Sequence, residues 1–132
     1  MKPIAHALVR ATRANYRTEI VANGHTLVAD EAAEHGGQGA GAAPFDYVLS
    51  GLGACTSITL RMYAERKGWD LGSLAIELTL FKDREGHTRI ERTLRASDAL
   101  TDEQWKRLLA IAEKTPVTLL IKQGTQIDTT KA

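Results

Sequence analysis

The stretch Pro44-Phe45-Asp46-Tyr47-Val48-Leu49-Ser50-Gly51-Leu52-Gly53-Ala54-Cys55-Thr56-Ser57-Ile58-Thr59-Leu60-Arg61-Met62-Tyr63-Ala64-Glu65-Arg66-Lys67 decides the fold of this 132-residue chain. Proline suits the first helical turn, where its missing N–H has no intrahelical partner. Asp46 adds a carboxylate where the helix dipole favours one. Phe45, Val48, Leu49, Leu52, Cys55 and Met62 recur at helical spacing, with Thr59 closing the gap, so Cys55 lies on an apolar stripe. Ser50, Gly53 or Ala54, and Ser57 form a second stripe of small residues. Glycine in a helix interior costs about 1 kcal/mol against alanine. Gly51 and Gly53 therefore imply that another backbone approaches closely there, and both faces of the helix read as buried. Arg66-Lys67-Gly68 supplies terminal cations and a glycine stop.

Upstream of this helix the chain reads as a β-meander. Ala5 to Thr12 and Tyr16 to Ala22 are β-prone, Asn23-Gly24 is a tight-turn pair, and His25 to Ala29 resumes an extended pattern. Asp30 to Ala43 carries Gly36, Gly37, Gly39 and Gly41 and has no periodic apolar face. It reads as a mobile linker, or as a lid over a site beyond it. It lacks the Gly-Lys-Ser/Thr ending of a phosphate-binding loop.

Downstream, Ser73 to Lys82 alternates, with Leu74, Ile76, Leu78 and Leu80 on one face. Asp83-Arg84-Glu85-Gly86 turns the chain, and Thr88 to Ser97 returns with Ile90, Leu94 and Ala96 inward. Thr101-Asp102-Glu103-Gln104 is a capping box, with Leu100 and Trp105 placed for a hydrophobic staple. The helix that follows runs to about Lys114. Thr115 and Pro116 then fit the N-cap and first position of a short helix ending at Gly124. Thr125 to Thr130 reads as a last strand. Strands are grouped and do not alternate with helices, so the class is α+β, with antiparallel sheets around a long central helix. One small sheet and one other helix cannot cover a helix apolar all round, which predicts a homodimer.

Composition limits the function classes. Residues 1–132 have the length of a single domain. The 17 Lys and Arg against 16 Asp and Glu give no general attraction to nucleic acid. The longest uncharged runs are too interrupted for a membrane span. No secretory signal opens the chain, and one cysteine fits a reducing cytoplasm. A lone cysteine and four scattered histidines (His6, His25, His35, His87) argue against a metal site, and no cofactor motif is present. Cys55 is left as a core filler or a reactive thiol.

Gly41 to Thr56 resembles the central-helix motif of the OsmC/Ohr family: a glycine-rich lead, a proline, an acid, small and apolar residues, then a cysteine. Ile111-Ala112-Glu113-Lys114-Thr115-Pro116-Val117 is similar to that family's second motif, a helix running into Cys-Pro-Val, with threonine at the cysteine position. The resemblance implies an intertwined homodimer and thiol-dependent reduction of organic hydroperoxides. In that chemistry a first cysteine becomes a sulfenic acid, a second condenses with it, and a dithiol resets the enzyme. An N-terminal arginine activates the first thiol and is held by a glutamate. Carried over, Cys55 matches the attacking cysteine and Thr115 the resolving position. The glutamate position falls at Phe45, with Asp46 bearing an acid one residue on. Arg13 and Arg17 match the arginine, with Arg10 next.

Two functions remain open from these residues. One is a one-cysteine peroxidase taking a small apolar hydroperoxide and an external thiol reductant, with Arg13 or Arg17 within hydrogen-bond reach of the sulfur. The other is a catalytically degenerate dimer that binds a small apolar ligand or is structural. A plain interaction domain has less to support it, because no exposed apolar run is evident.

Overall fold

The computed structural model describes residues 1–132, which divide into two compact units, Met1–Val48 and Leu49–Ala132. The first unit is a three-stranded antiparallel meander of β1 (Ala7–Ala11), β2 (Thr18–Ala22) and β3 (His25–Ala29). Asn23 and Gly24 both have positive φ, as the two-residue turn between β2 and β3 requires. The register places Arg10 opposite Glu19 and Ile20 opposite Leu27.

The glycine-rich run after β3 is not an unstructured linker. Asp30 is buried, and its carboxylate accepts backbone N–H bonds from Glu31 (2.8 Å), Gln38 (3.2 Å) and Ala40 (3.1 Å). A single 3-10 turn, Ala33–His35, lies inside this loop, and Ala42 bridges back to Ala29. A Cβ on Gly37 would sit 2.0 Å from the Glu31 carbonyl oxygen, and one on Gly41 2.0 Å from that of Val28. These glycines are present because backbone passes against backbone, not because the segment needs slack.

Helix α1 spans Pro44–Lys67, the bounds read from the sequence. Its first turn belongs to the first unit and the rest to the second. In the second unit, β4 (Leu74–Lys82) pairs antiparallel with β5 (Thr88–Ala96), followed by α2 (Asp102–Ala112) and α3 (Pro116–Gln123). The core joins Leu60 and Ala64 of α1 to Leu71 and to Leu108 of α2, with Leu74, Leu94 and Trp105 packed around them. The Thr101/Gln104 capping box forms as expected.

Three expectations are corrected. The buried residues of α1 are Leu52, Gly53, Thr56, Leu60 and Ala64. This stripe recurs every four residues and is rotated from the apolar one. Ile58 (55% exposed) and Met62 (53%) stay accessible in the single chain. Leu78 of β4 occupies the space above Gly53, a side chain rather than a second backbone, whereas nothing approaches Gly51. Residues 125–132 form no strand: β-propensity alone does not hold a strand that has no partner edge.

Candidate functional site around Cys55 and Arg92

Asp46 acts first on the helix. Its carboxylate accepts the Ala43 backbone N–H at 2.9 Å, satisfying a donor at the helix start and placing negative charge at the positive end. Cys55, nine residues further along α1, is half-buried, with Sγ 4.0 Å from the Thr59 hydroxyl one turn on. At that separation the contact is at most a weak sulfur hydrogen bond.

A polar cluster of the second unit begins at the next residue. Thr56 is fully buried; it donates to the Leu52 carbonyl at 2.7 Å and accepts from Arg92 Nη1 at 2.9 Å. Arg92 Nη1 also donates to Thr118 Oγ1 at 3.0 Å, and Nη2 to the Ala112 carbonyl at 2.9 Å. The guanidinium therefore joins α1, the end of α2 and the start of α3. A cation against the last carbonyls of α2 is also favoured by that helix's dipole.

Thr115 is buried at the N-cap of α3. Its hydroxyl lies 2.6 Å from that of Thr118 and accepts the Thr118 N–H at 3.4 Å. Thr115, Thr118, Arg92 and Thr56 thus form a hydrogen-bonded chain from the N-cap of α3 to the residue after Cys55. Arg92 was missed in the sequence, although a signal was there. It shares the inward parity of Ile90 and Leu94 on β5, and an inward charge on an alternating strand calls for partners.

The other candidates lie in the first unit. Arg17 is half-buried, and Nη1 is 3.9 Å from Glu19 Oε1. It lines a cleft of about 560 Å³ with Tyr47 and Asp30. The Asp30 carboxyl is held below its usual range, first by the Ala40 N–H bond and then by those from Glu31 and Gln38, with the Arg17 charge adding to them. Arg13 is exposed in the turn between β1 and β2, and Arg10 is exposed on β1. The structure brings Thr115 into the Thr56–Arg92 cluster; Arg13 and Arg17 belong to the other compact unit.

With a reactive residue type on a long central helix, two antiparallel sheets and two capping helices, the architecture is that of a thiol-bearing α+β protein. The chain belongs to the OsmC-like protein family, whose model matches residues 36–130. A search of curated proteins found no match to the sequence. Among solved structures it is similar to an OsmC-like protein from Mycoplasma pneumoniae, at 16% identity and TM-score 0.73, over 94% of this chain and 90% of that one. It is also similar to the organic hydroperoxide resistance protein OhrB of Bacillus subtilis, at 22% identity and TM-score 0.62, over 92% of each chain. A third is an organic hydroperoxide resistance protein OsmC from Legionella pneumophila, at 20% identity and TM-score 0.66, over 91% of this chain and 90% of that one. These likenesses establish an OsmC-like fold. No helix of the chain is long and apolar enough to cross a membrane.

Proposed function

We propose that this protein reduces organic hydroperoxides through Cys55, with an external thiol as reductant. The observation that carries the reading is the placement of the only cysteine, half-buried on the central helix of a chain whose family model covers residues 36–130. The names of the Bacillus and Legionella proteins of the same fold supply the substrate class. The family match crosses the boundary at Val48, which supports one functional domain over residues 1–132.

In the proposed reaction the Cys55 thiolate attacks the terminal peroxide oxygen. The O–O bond breaks, the alkoxide takes a proton and leaves as an alcohol, and Cys55 becomes a sulfenic acid. A first external thiol condenses with the sulfenic acid, releasing water and leaving a mixed disulfide. A second displaces Cys55 and departs as the external disulfide. Thr115 cannot take the resolving part because it has no sulfur, and its hydroxyl is committed to Thr118. Arg13 and Arg17 are the proposed sources of the activating charge, supplied in a homodimer. Exposed Ile58 and Met62 on α1 support that assembly. The cytoplasm, a reducing compartment, would supply the thiol.

Thiol-trapping with a sulfenic-acid reagent after one equivalent of an alkyl hydroperoxide tests this. An adduct at Cys55 is expected; a folded protein without one rejects it. The tied-up Thr115 hydroxyl and Phe45 at the acid position favour a second reading, a degenerate dimer that binds a small apolar ligand or is structural. Catalytic reduction of hydroperoxide with a dithiol would exclude it.

A further inference from the structure

The second unit contains an open cleft of about 450 Å³, within the range of small-ligand sites. Its lining includes three cations: Arg89 and Arg92 of β5 and Lys122 of α3. Leu52, Leu80, Ile90 and Ile121 supply the apolar lining. The cations are not equally engaged. Arg89 pairs with Glu91 at 2.9 Å, and Lys122 with Glu113 at 2.6 Å. Arg92 is half-buried and forms no ion pair; its three hydrogen bonds go to uncharged oxygens of Thr56, Thr118 and Ala112. A guanidinium has five N–H donors. Both on Nη1 and one on Nη2 are used, so Nε and one on Nη2 remain.

Glu113 is the one acid lining the cleft, and it is paired with Lys122. The Lys122 hydrogen bond holds its carboxyl below the usual range, and the Arg92 charge adds to this. With Arg89 paired to Glu91 and Lys122 to Glu113, Arg92 is the cation of the cleft left without a carboxylate partner. A half-buried cation with two spare donors calls for an anion, and two N–H groups match the two oxygens of one carboxylate.

We propose that this cleft binds an amphipathic organic anion, an alkyl carboxylate whose headgroup meets Arg92 and whose chain lies along Leu80, Ile90 and Ile121. Lys122 and Arg89, each already paired with a carboxylate, leave Arg92 as the anchor of the headgroup. This names the ligand class for the second functional reading. It does not require Cys55 chemistry, so hydroperoxide reactivity and ligand binding succeed or fail separately.

The test is titration calorimetry with octanoate, with butyrate (same charge, shorter chain) and octanol (same chain, no charge) as comparators. Octanoate is expected to bind saturably, about tenfold tighter than either comparator. Arg92→Met is expected to weaken it by about tenfold or more. Should that variant unfold, Arg92→Lys is the substitute: it keeps the charge but loses the two-donor fork, with an expected loss of roughly threefold. Equal binding of octanoate and octanol, no saturation by roughly 10 mM, or unchanged affinity in the variants would overturn the assignment.

Discussion

Arg92 holds together parts of the chain that are far apart in sequence. Its bonds to Thr56, Ala112 and Thr118 span separations of 36, 20 and 26 residues. Hydrogen bonds to a charged group contribute about 1.5–3 kcal/mol each. The acceptors keep other partners here: Thr56 retains Leu52, and Thr118 retains Thr115 and Ala112. The net loss in Arg92→Met should therefore be about 2 kcal/mol in urea unfolding. Arg92→Lys should recover only part of it, because an ammonium cannot span three oxygens as the planar fork does. Equal stability of Arg92→Met and wild type would mean the cluster is not a clamp. Thr115 gives a second residue-scale outcome. Thr115→Cys removes an N-cap oxygen and should cost about 1 kcal/mol. It should also form a disulfide with Cys55 on mild oxidation, read by non-reducing peptide mapping. Two persistent free thiols would show that position 115 does not correspond to a resolving cysteine.

At the scale of elements, the helices were the most legible part of the sequence. Pro44, the Thr101/Gln104 box and the Thr115-Pro116 pair are local signals, and each marks a helix start within a residue. Burial was less legible, because periodicity records which residues are apolar and not which face has a neighbour. Thr56 and Gly53 are buried while Ile58 and Met62 are not. Arg92 escaped for a related reason: its partners come from α1, α2 and α3, which no local window contains. The glycine-rich loop was misread because its organiser, Asp30, acts on amides eight and ten residues later. Asp30 also gives the loop a pH dependence. Its carboxyl is lowered from 3.8 in the folded chain, so folding favours the carboxylate. The stabilisation is complete above the unfolded value and is lost as pH falls below about 4 through the folded one. Hydrogen exchange should show the Gln38 and Ala40 amides losing protection across that range, and losing it at neutral pH in Asp30→Ala. Protection that ignores both changes would contradict the cradle.

At the scale of the whole molecule, the account requires a second copy. Ile58 and Met62 leave apolar surface on α1 uncovered in the single chain. Sedimentation at micromolar concentration should give twice the 14.4 kDa chain mass. Ile58→Glu should shift it toward the single chain, since burying an unpaired charge opposes association. A wild-type protein that sediments as one chain would remove the assembly, and with it the route by which Arg13 or Arg17 could serve Cys55 of a partner.

The central claim is that Cys55 is the reacting atom of a hydroperoxide reductase. Intact-mass analysis after one equivalent of an alkyl hydroperoxide, with a sulfenic-acid trap present, tests it most directly. The account predicts a single trapped adduct mapped to Cys55, absent from Cys55→Ser and reversed by a dithiol when the trap is omitted. With excess hydroperoxide it predicts progression to sulfinic acid, because no second thiol intercepts the intermediate. A natively folded protein whose Cys55 remains a free thiol through both treatments would contradict it.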